Sequence, residues 1–158
     1  QLGGLDELGG PKMENMYNSA WGWAGDSPFR YTKLVAGDFG GSRTPMVISW
    51  PARSKPDDTP RTQFLHVNDV VPTIYDILYI TPPKVDDGHE QDHIDGVSFG
   101  STFDDSGAPE VKKTQFLEIL GHSGIYHDGW MANAFGPKAP WSAAVPDLAN
   151  WNPLEDEW

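Results

Sequence analysis

The stretch Ser27-Pro28-Phe29-Arg30-Tyr31-Thr32-Lys33, followed by Phe39-Gly40-Gly41-Ser42-Arg43-Thr44-Pro45-Met46-Val47-Ile48, decides how this chain is read. A lysine stands a short loop ahead of a paired-glycine turn, and the turn runs into three consecutive apolar residues. Residues 45–50 read as a short strand that Pro51 ends. Unbroken Met46, Val47 and Ile48 predict burial on both faces, the habit of a strand inside a mostly parallel sheet covered by helices. The expected fold class is therefore α/β. Gly40 and Gly41 predict either a positive-φ turn or a close backbone approach.

Upstream, residues 1–44 hold no helical or strand period beyond one turn. They read mainly as a long functional loop packed by Tyr17, Trp21, Trp23, Phe29 and Tyr31. Downstream, residues 68–80 turn helical, with Val70, Val71, Ile74, Ile77 and Leu78 on one stripe and Asn68 or Asp69 as N-cap. Pro72 falls in the first turn, where a missing N–H costs little, and Thr81-Pro82-Pro83 stops the helix. Residues 86–105 are acidic and glycine-punctuated, and read as loop. Residues 114–120 and 124–131 read as two antiparallel strands joined by Gly121-His122-Ser123. The Pro- and Trp-rich remainder shows no period.

Composition narrows the classes. Leu, Ile, Val and Phe supply 33 of the 158 residues, close to the roughly one-fifth below which chains stop forming good cores. Seven Trp and five Tyr offset this in part, because each aromatic buries a large area. Such a loop-rich chain is expected to be a piece of a larger domain. A net charge of −12 excludes nucleic acid and anionic membrane as natural partners, since both require basic patches. Neither a membrane-spanning run nor a cationic-then-apolar leader is evident. Without cysteine, redox compartment cannot be read.

Several blocks, in order, resemble the type I sulfatases of the alkaline-phosphatase-like superfamily. They are Leu5-Asp6-Glu7-Leu8-Gly9-Gly10-Pro11-Lys12, the 27–45 block, Trp50-Pro51, His66-Val67-Asn68-Asp69-Val70-Val71-Pro72-Thr73-Ile74, Asp95-Gly96-Val97-Ser98, and Gly124-Ile125-Tyr126-His127-Asp128-Gly129-Trp130. The resemblance covers nearly the whole chain and corresponds to the C-terminal portion of the family. It implies that residues 1–108 end the α/β catalytic domain, with 1–44 as its active-site loop region. Residues 109–158 would then form a small antiparallel β-rich subdomain, truncated at its end. Met131 departs from relatives, which often have lysine there.

The resemblance also implies the chemistry. In that family a hydrated formylglycine attacks sulfur beside a divalent metal, calcium in most members, and the alcohol leaves. The formylglycine motif and the metal ligands are expected upstream of Gln1, so this chain alone is expected to be inactive. Negative charge on the sulfate oxygens calls for fixed cations in a drier site, and a lysine ammonium is a compact charge that reaches an oxygen from a loop. Lys33 is the one residue that takes that role. Arg43 reads as a partner for a carboxylate, most simply in a structural ion pair.

Two other motifs are rejected on context. Ser49-Trp50-Pro51-Ala52-Arg53 fits the serine form of the formylglycine signature, but it follows the lysine and no helix can open after it. His89-Glu90-Gln91-Asp92-His93 fits a zinc-protease pattern that works only on a helix, and breakers flank it. His66, His122 and His127 are read as structural. Two alternatives stay open. One is a phosphodiesterase or phosphonate hydrolase of the same superfamily; the other is a non-catalytic, aromatic-rich carbohydrate-binding module.

Overall fold

The computed structural model describes residues 4–13 and 17–136; the Pro- and Trp-rich stretch 137–158 lies outside them. The chain forms two compact units, one of residues 1–45, 118–124 and 133–158, the other of residues 46–117 and 125–132. It mixes short helices with strands, and its largest sheet is a small antiparallel one near the C-terminus.

In the first unit, Leu5–Glu7 makes one 3-10 turn, with Lys12 Nζ 3.2 Å from Glu7 Oε1. Helix α1 spans Ser19–Asp26, where a loop was expected. Asn18 caps it by accepting from the Ala20 N–H at 2.9 Å, which satisfies one orphan donor of the first turn. None of its residues is buried, so it has no apolar face to leave a period in the sequence. Tyr17, Trp21 and Trp23 are exposed rather than packing the arm. A single turn of helix, α2 (Phe39–Ser42), follows, capped by Asp38 through the Phe39 N–H at 2.8 Å.

The second unit departs most from expectation at residues 45–50. This segment forms no strand, and Met46, Val47 and Ile48 are exposed, Val47 to 94%. A buried strand needs neighbours for its backbone groups, and the described residues supply none. The predicted helix is present as a 3-10 turn, Val67–Asp69, leading into α3, Val70–Ile77. Asp69 holds the N-cap position of α3, as expected, but without a side-chain cap bond; His66 caps the 3-10 turn before it, in a box completed by Asp69 Oδ2, which accepts from the His66 N–H at 2.8 Å.

The helix ends before the prolines. Tyr79 turns left-handed at φ 56°, with Ile80 N–H donating to Tyr75 O at 2.8 Å and Tyr79 N–H to Asp76 O at 3.1 Å. That pair of bonds is a Schellman stop. The expected apolar stripe is largely uncovered: Val71, Ile74 and Leu78 are exposed, and the buried residue is Thr73. Its hydroxyl donates to Asp69 O at 2.6 Å and accepts from Phe99 N–H at 3.1 Å.

Residues 86–105 are not all loop. Strands β1 (Val85–Asp86) and β2 (His89–Glu90) pair antiparallel about Asp87-Gly88. The C-terminal sheet has three strands in the order β3-β4-β5, namely Thr114–Ile119, His122–His127 and Trp130–Ala134. Leu120-Gly121 and Asp128-Gly129 connect them. The second expected strand is thus cut in two, and the first turn lies one residue earlier than expected. At all three turns both central residues have positive φ, from 45° to 87°, the signature of type I′ turns that match strand twist. Burial alternates along β4, with His122, Gly124 and Tyr126 buried.

Candidate functional site

Lys33 lies in a loop whose floor is the glycine pair. Gly40 N–H donates to Arg30 O at 2.9 Å. A Cβ on Gly40 would sit 1.9 Å from Tyr31 O, and one on Gly41 would sit 2.4 Å from Thr32 O and 2.6 Å from Val35 O. Of the two roles open to these glycines, the close approach is the one realised; both lie within α2. Just after the lysine, Val35 and Ala36 are buried, and the Gly37 Cα lies so close to Ala134 O that a Cβ would meet it at 3.1 Å. The loop is therefore anchored at both ends.

The lysine itself is exposed and makes no hydrogen bond or ion pair among the described residues. Tyr31 and Leu34 bracket it with φ of 63° and 76°. A non-glycine residue in that region costs about 1–3 kcal/mol and persists where the surroundings impose it.

Around this loop, Arg30 Nε lies 3.0 Å from Asp38 Oδ2, so the α2 cap also holds the first cation of the stretch. Among the described residues Arg43 has no carboxylate partner, where an ion pair was expected for it. Its guanidinium carbon lies 5.2 Å from the Phe29 ring centre and 5.7 Å from that of Phe39. Those rings meet edge to face at 5.6 Å. The stacking replaces an ion pair because the only carboxylate in residues 27–45, Asp38, is taken by Arg30.

In the second unit the blocks 66–74 and 95–98 meet. Asp69 is fully buried; its Oδ1 accepts from Val97 N–H at 2.9 Å and from Lys112 Nζ at 2.9 Å. A Cβ on Gly96 would lie 1.9 Å from Asn68 O, so glycine is required there. Lys112, 6% exposed, also donates to Asn68 Oδ1 and Gln115 Oε1, each at 3.0 Å. Three donors meet three acceptors, and this is a structural rivet with no group left for a ligand. Nothing in the sequence pattern marked Lys112, because Asn68 and Asp69, two of its three partners, are distant in the chain.

The rejected motifs stay rejected. His89 and Glu90 are in β2 and His93 lies in the following irregular segment, so no helix brings the two imidazoles to one face. After Ser49 the chain makes a turn at Trp50–Arg53 and then runs irregularly, with Arg53 bound to Asp104 at 2.7 Å. The three histidines have structural partners: His66 Nδ1 accepts from Asn68 N–H, His122 is buried against Phe135 and accepts from Gly136 N–H, and His127 meets Thr114 Oγ1 at 2.8 Å.

Among the described residues no three His, Asp or Glu side chains converge where a metal ion would sit. No helix among them is long and apolar enough to cross a membrane. Compared with family models, with curated proteins and with solved structures, the chain gives no match.

Proposed function

We propose that this chain is the sulfate-binding wall of a sulfuric-ester hydrolase of the type I sulfatase kind, with Lys33 as its sulfate clamp. The observation that carries this reading is an uncommitted ammonium on a loop held rigid from below by Gly40 and Gly41. An ammonium with no carboxylate to release among the described residues is available to stabilise charge building on a sulfate oxygen.

Formylglycine and calcium would supply the nucleophile and a Lewis acid. In this reading neither is supplied by this chain. The exposed run Met46–Val47–Ile48 supports the fold-level part of the proposal. An apolar segment that pairs with no strand among the described residues suits an inner strand of a mostly parallel sheet, completed by the rest of the enzyme.

In the complete enzyme, Lys33→Ala is expected to lower turnover of an aryl sulfate about a hundredfold or more. A loss below about threefold would remove Lys33 from the site. Matched aryl sulfate and aryl phosphate esters separate this reading from a phosphodiesterase of the same superfamily. The exposed Tyr17, Trp21 and Trp23 favour a second reading, a sugar-stacking module. That reading requires saccharide to quench tryptophan fluorescence in the absence of metal.

A further inference from the structure

Residues 27–45 carry three cations, Arg30, Lys33 and Arg43, against one carboxylate, Asp38, in a chain of net charge −12. Asp38 is committed to Arg30. Lys33 and Arg43 are left without an anionic partner among the described residues. Local positive charge of this kind, inside an acidic protein, is an electrostatic trap for a small anion.

Arg43 is more than a loose surface charge. Its carbon lies over two phenyl rings, at 5.2 and 5.7 Å. Cation–π contact of this kind restrains the guanidinium plane without consuming its N–H donors. The aromatic contacts occupy the cation's π surface, while its polar edges face no acceptor of the described residues. A guanidinium fixed in this way offers its fork in plane, matching two oxygens of a carboxylate or sulfate, and little of its rotamer entropy remains to be lost. Phe39 belongs to the same helical turn whose glycines support the Lys33 loop. Arg43 thus stands at the C-cap of the helical turn against which the Lys33 loop packs.

We infer that Arg43 is a second anion-binding group, taking a carboxylate or sulfate through its guanidinium edge. It rests in part on the sulfatase reading, under which Arg43 selects esters that bear a second negative group.

Two measurements separate the anion site from that reading. The first follows the arginine Nε–Hε signals of the full protein during titration with inorganic sulfate, against chloride at equal ionic strength. Sulfate is expected to move the Arg43 signal saturably, and Arg43→Lys, which keeps the charge but not the fork, to weaken sulfate binding about tenfold. An Arg43 signal that ignores sulfate, or follows chloride equally, overturns the inference, as does unaltered binding by Arg43→Lys.

The second measurement compares an aryl sulfate with one carrying a ring carboxylate. Arg43→Lys should lower kcat/KM for the carboxylated ester about tenfold more than for the plain one. Equal losses overturn the selectivity role. If the complete enzyme hydrolyses neither ester, the sulfatase reading falls, and the sulfate titration alone decides Arg43.

Discussion

Tyr31 and Leu34 hold left-handed backbone on either side of Thr32-Lys33, and this is the scale at which the site is built. Two such residues cost of order a few kcal/mol together, and the buried Val35-Ala36 base and the glycine floor impose the shape. The need for Gly40 and Gly41 was legible from their spacing. That Arg43 would stack on Phe29 and Phe39 was not, because its choice between ring and carboxylate depends on where Arg30 goes. A second residue-scale feature sets a pH limit. Hydrogen bonds from Thr59, first from its side chain and then from its N–H, hold the Asp57 carboxyl down at about 2, helped by Arg61. Arg61 Nη1 lies 2.7 Å from Asp57 Oδ2. A carboxyl depressed on folding contributes stability above its unfolded value of about 4 and loses it as the pH falls through its folded value. The 57–61 turn should therefore survive at pH 3, and a carboxyl NMR titration should place the Asp57 midpoint near 2. Thr59→Ala should raise that midpoint, and a wild-type midpoint near 4 would contradict the assignment.

Hairpins and the start of α3 show what an element owes to local chemistry. Asp87-Gly88 and Asp128-Gly129 carry the strongest short hairpin signal available, and both are turns in the structure. Their signal is masked in the sequence, because the acidic residues around the first read as loop and the run 124–131 reads as one strand. Leu120-Gly121 was not legible, since leucine at φ 51° is a poor turn former. Its turn is supported by Glu118 Oε1, which accepts from Gly121 N–H at 3.0 Å. The α3 start was legible through its proline and cap residues, but its burial was not. Asp69 and Lys112 meet across a long sequence separation, and removing one partner leaves a charge buried and unpaired. Lys112→Met should destabilise the protein by about 3–5 kcal/mol, measured as a lower urea midpoint with unchanged slope. A loss below about 1 kcal/mol would show that the pair does not rivet the helix to the 95–99 segment. Nearby, Phe64 and Tyr126 stack with centroids 3.8 Å apart, and the Tyr126 hydroxyl donates to Glu110 Oε1. Burial, followed by that carboxylate, raises the Tyr126 phenol above its ordinary range.

For the molecule as a whole, the telling surface is the groove of about 320 Å3 beside residues 46–50, lined by Met46, Ile48, Trp50, Ile74, Ile77 and Phe99. Apolar side chains at such a surface mark an interaction face more often than chance exposure. Under the proposed reading, the rest of the enzyme covers it. Val47→Asp should then cost the isolated chain under about 0.5 kcal/mol, whereas in the complete enzyme it should cost several kcal/mol through burial of an unpaired charge. Thermal melts of both forms check this, and equal shifts would argue against a covering sheet. The sequence by itself determined the need for glycine at Gly40 and Gly41, the existence of the helix near residues 68–80 and of an antiparallel strand pair after residue 114, and which lysine stands ahead of the turn. These are short-range consequences of backbone sterics, so adjacent residues suffice to state them. Only the tertiary structure decided which side chains meet and which stay free. Arg30 takes Asp38, Arg43 takes two rings, Lys112 takes Asp69, and Lys33 takes nothing among the described residues. Each outcome is a competition among several candidate partners, some near in the chain (Asp38 for Arg30, Phe39 for Arg43) and some far (Asp69 for Lys112), and packing settles it.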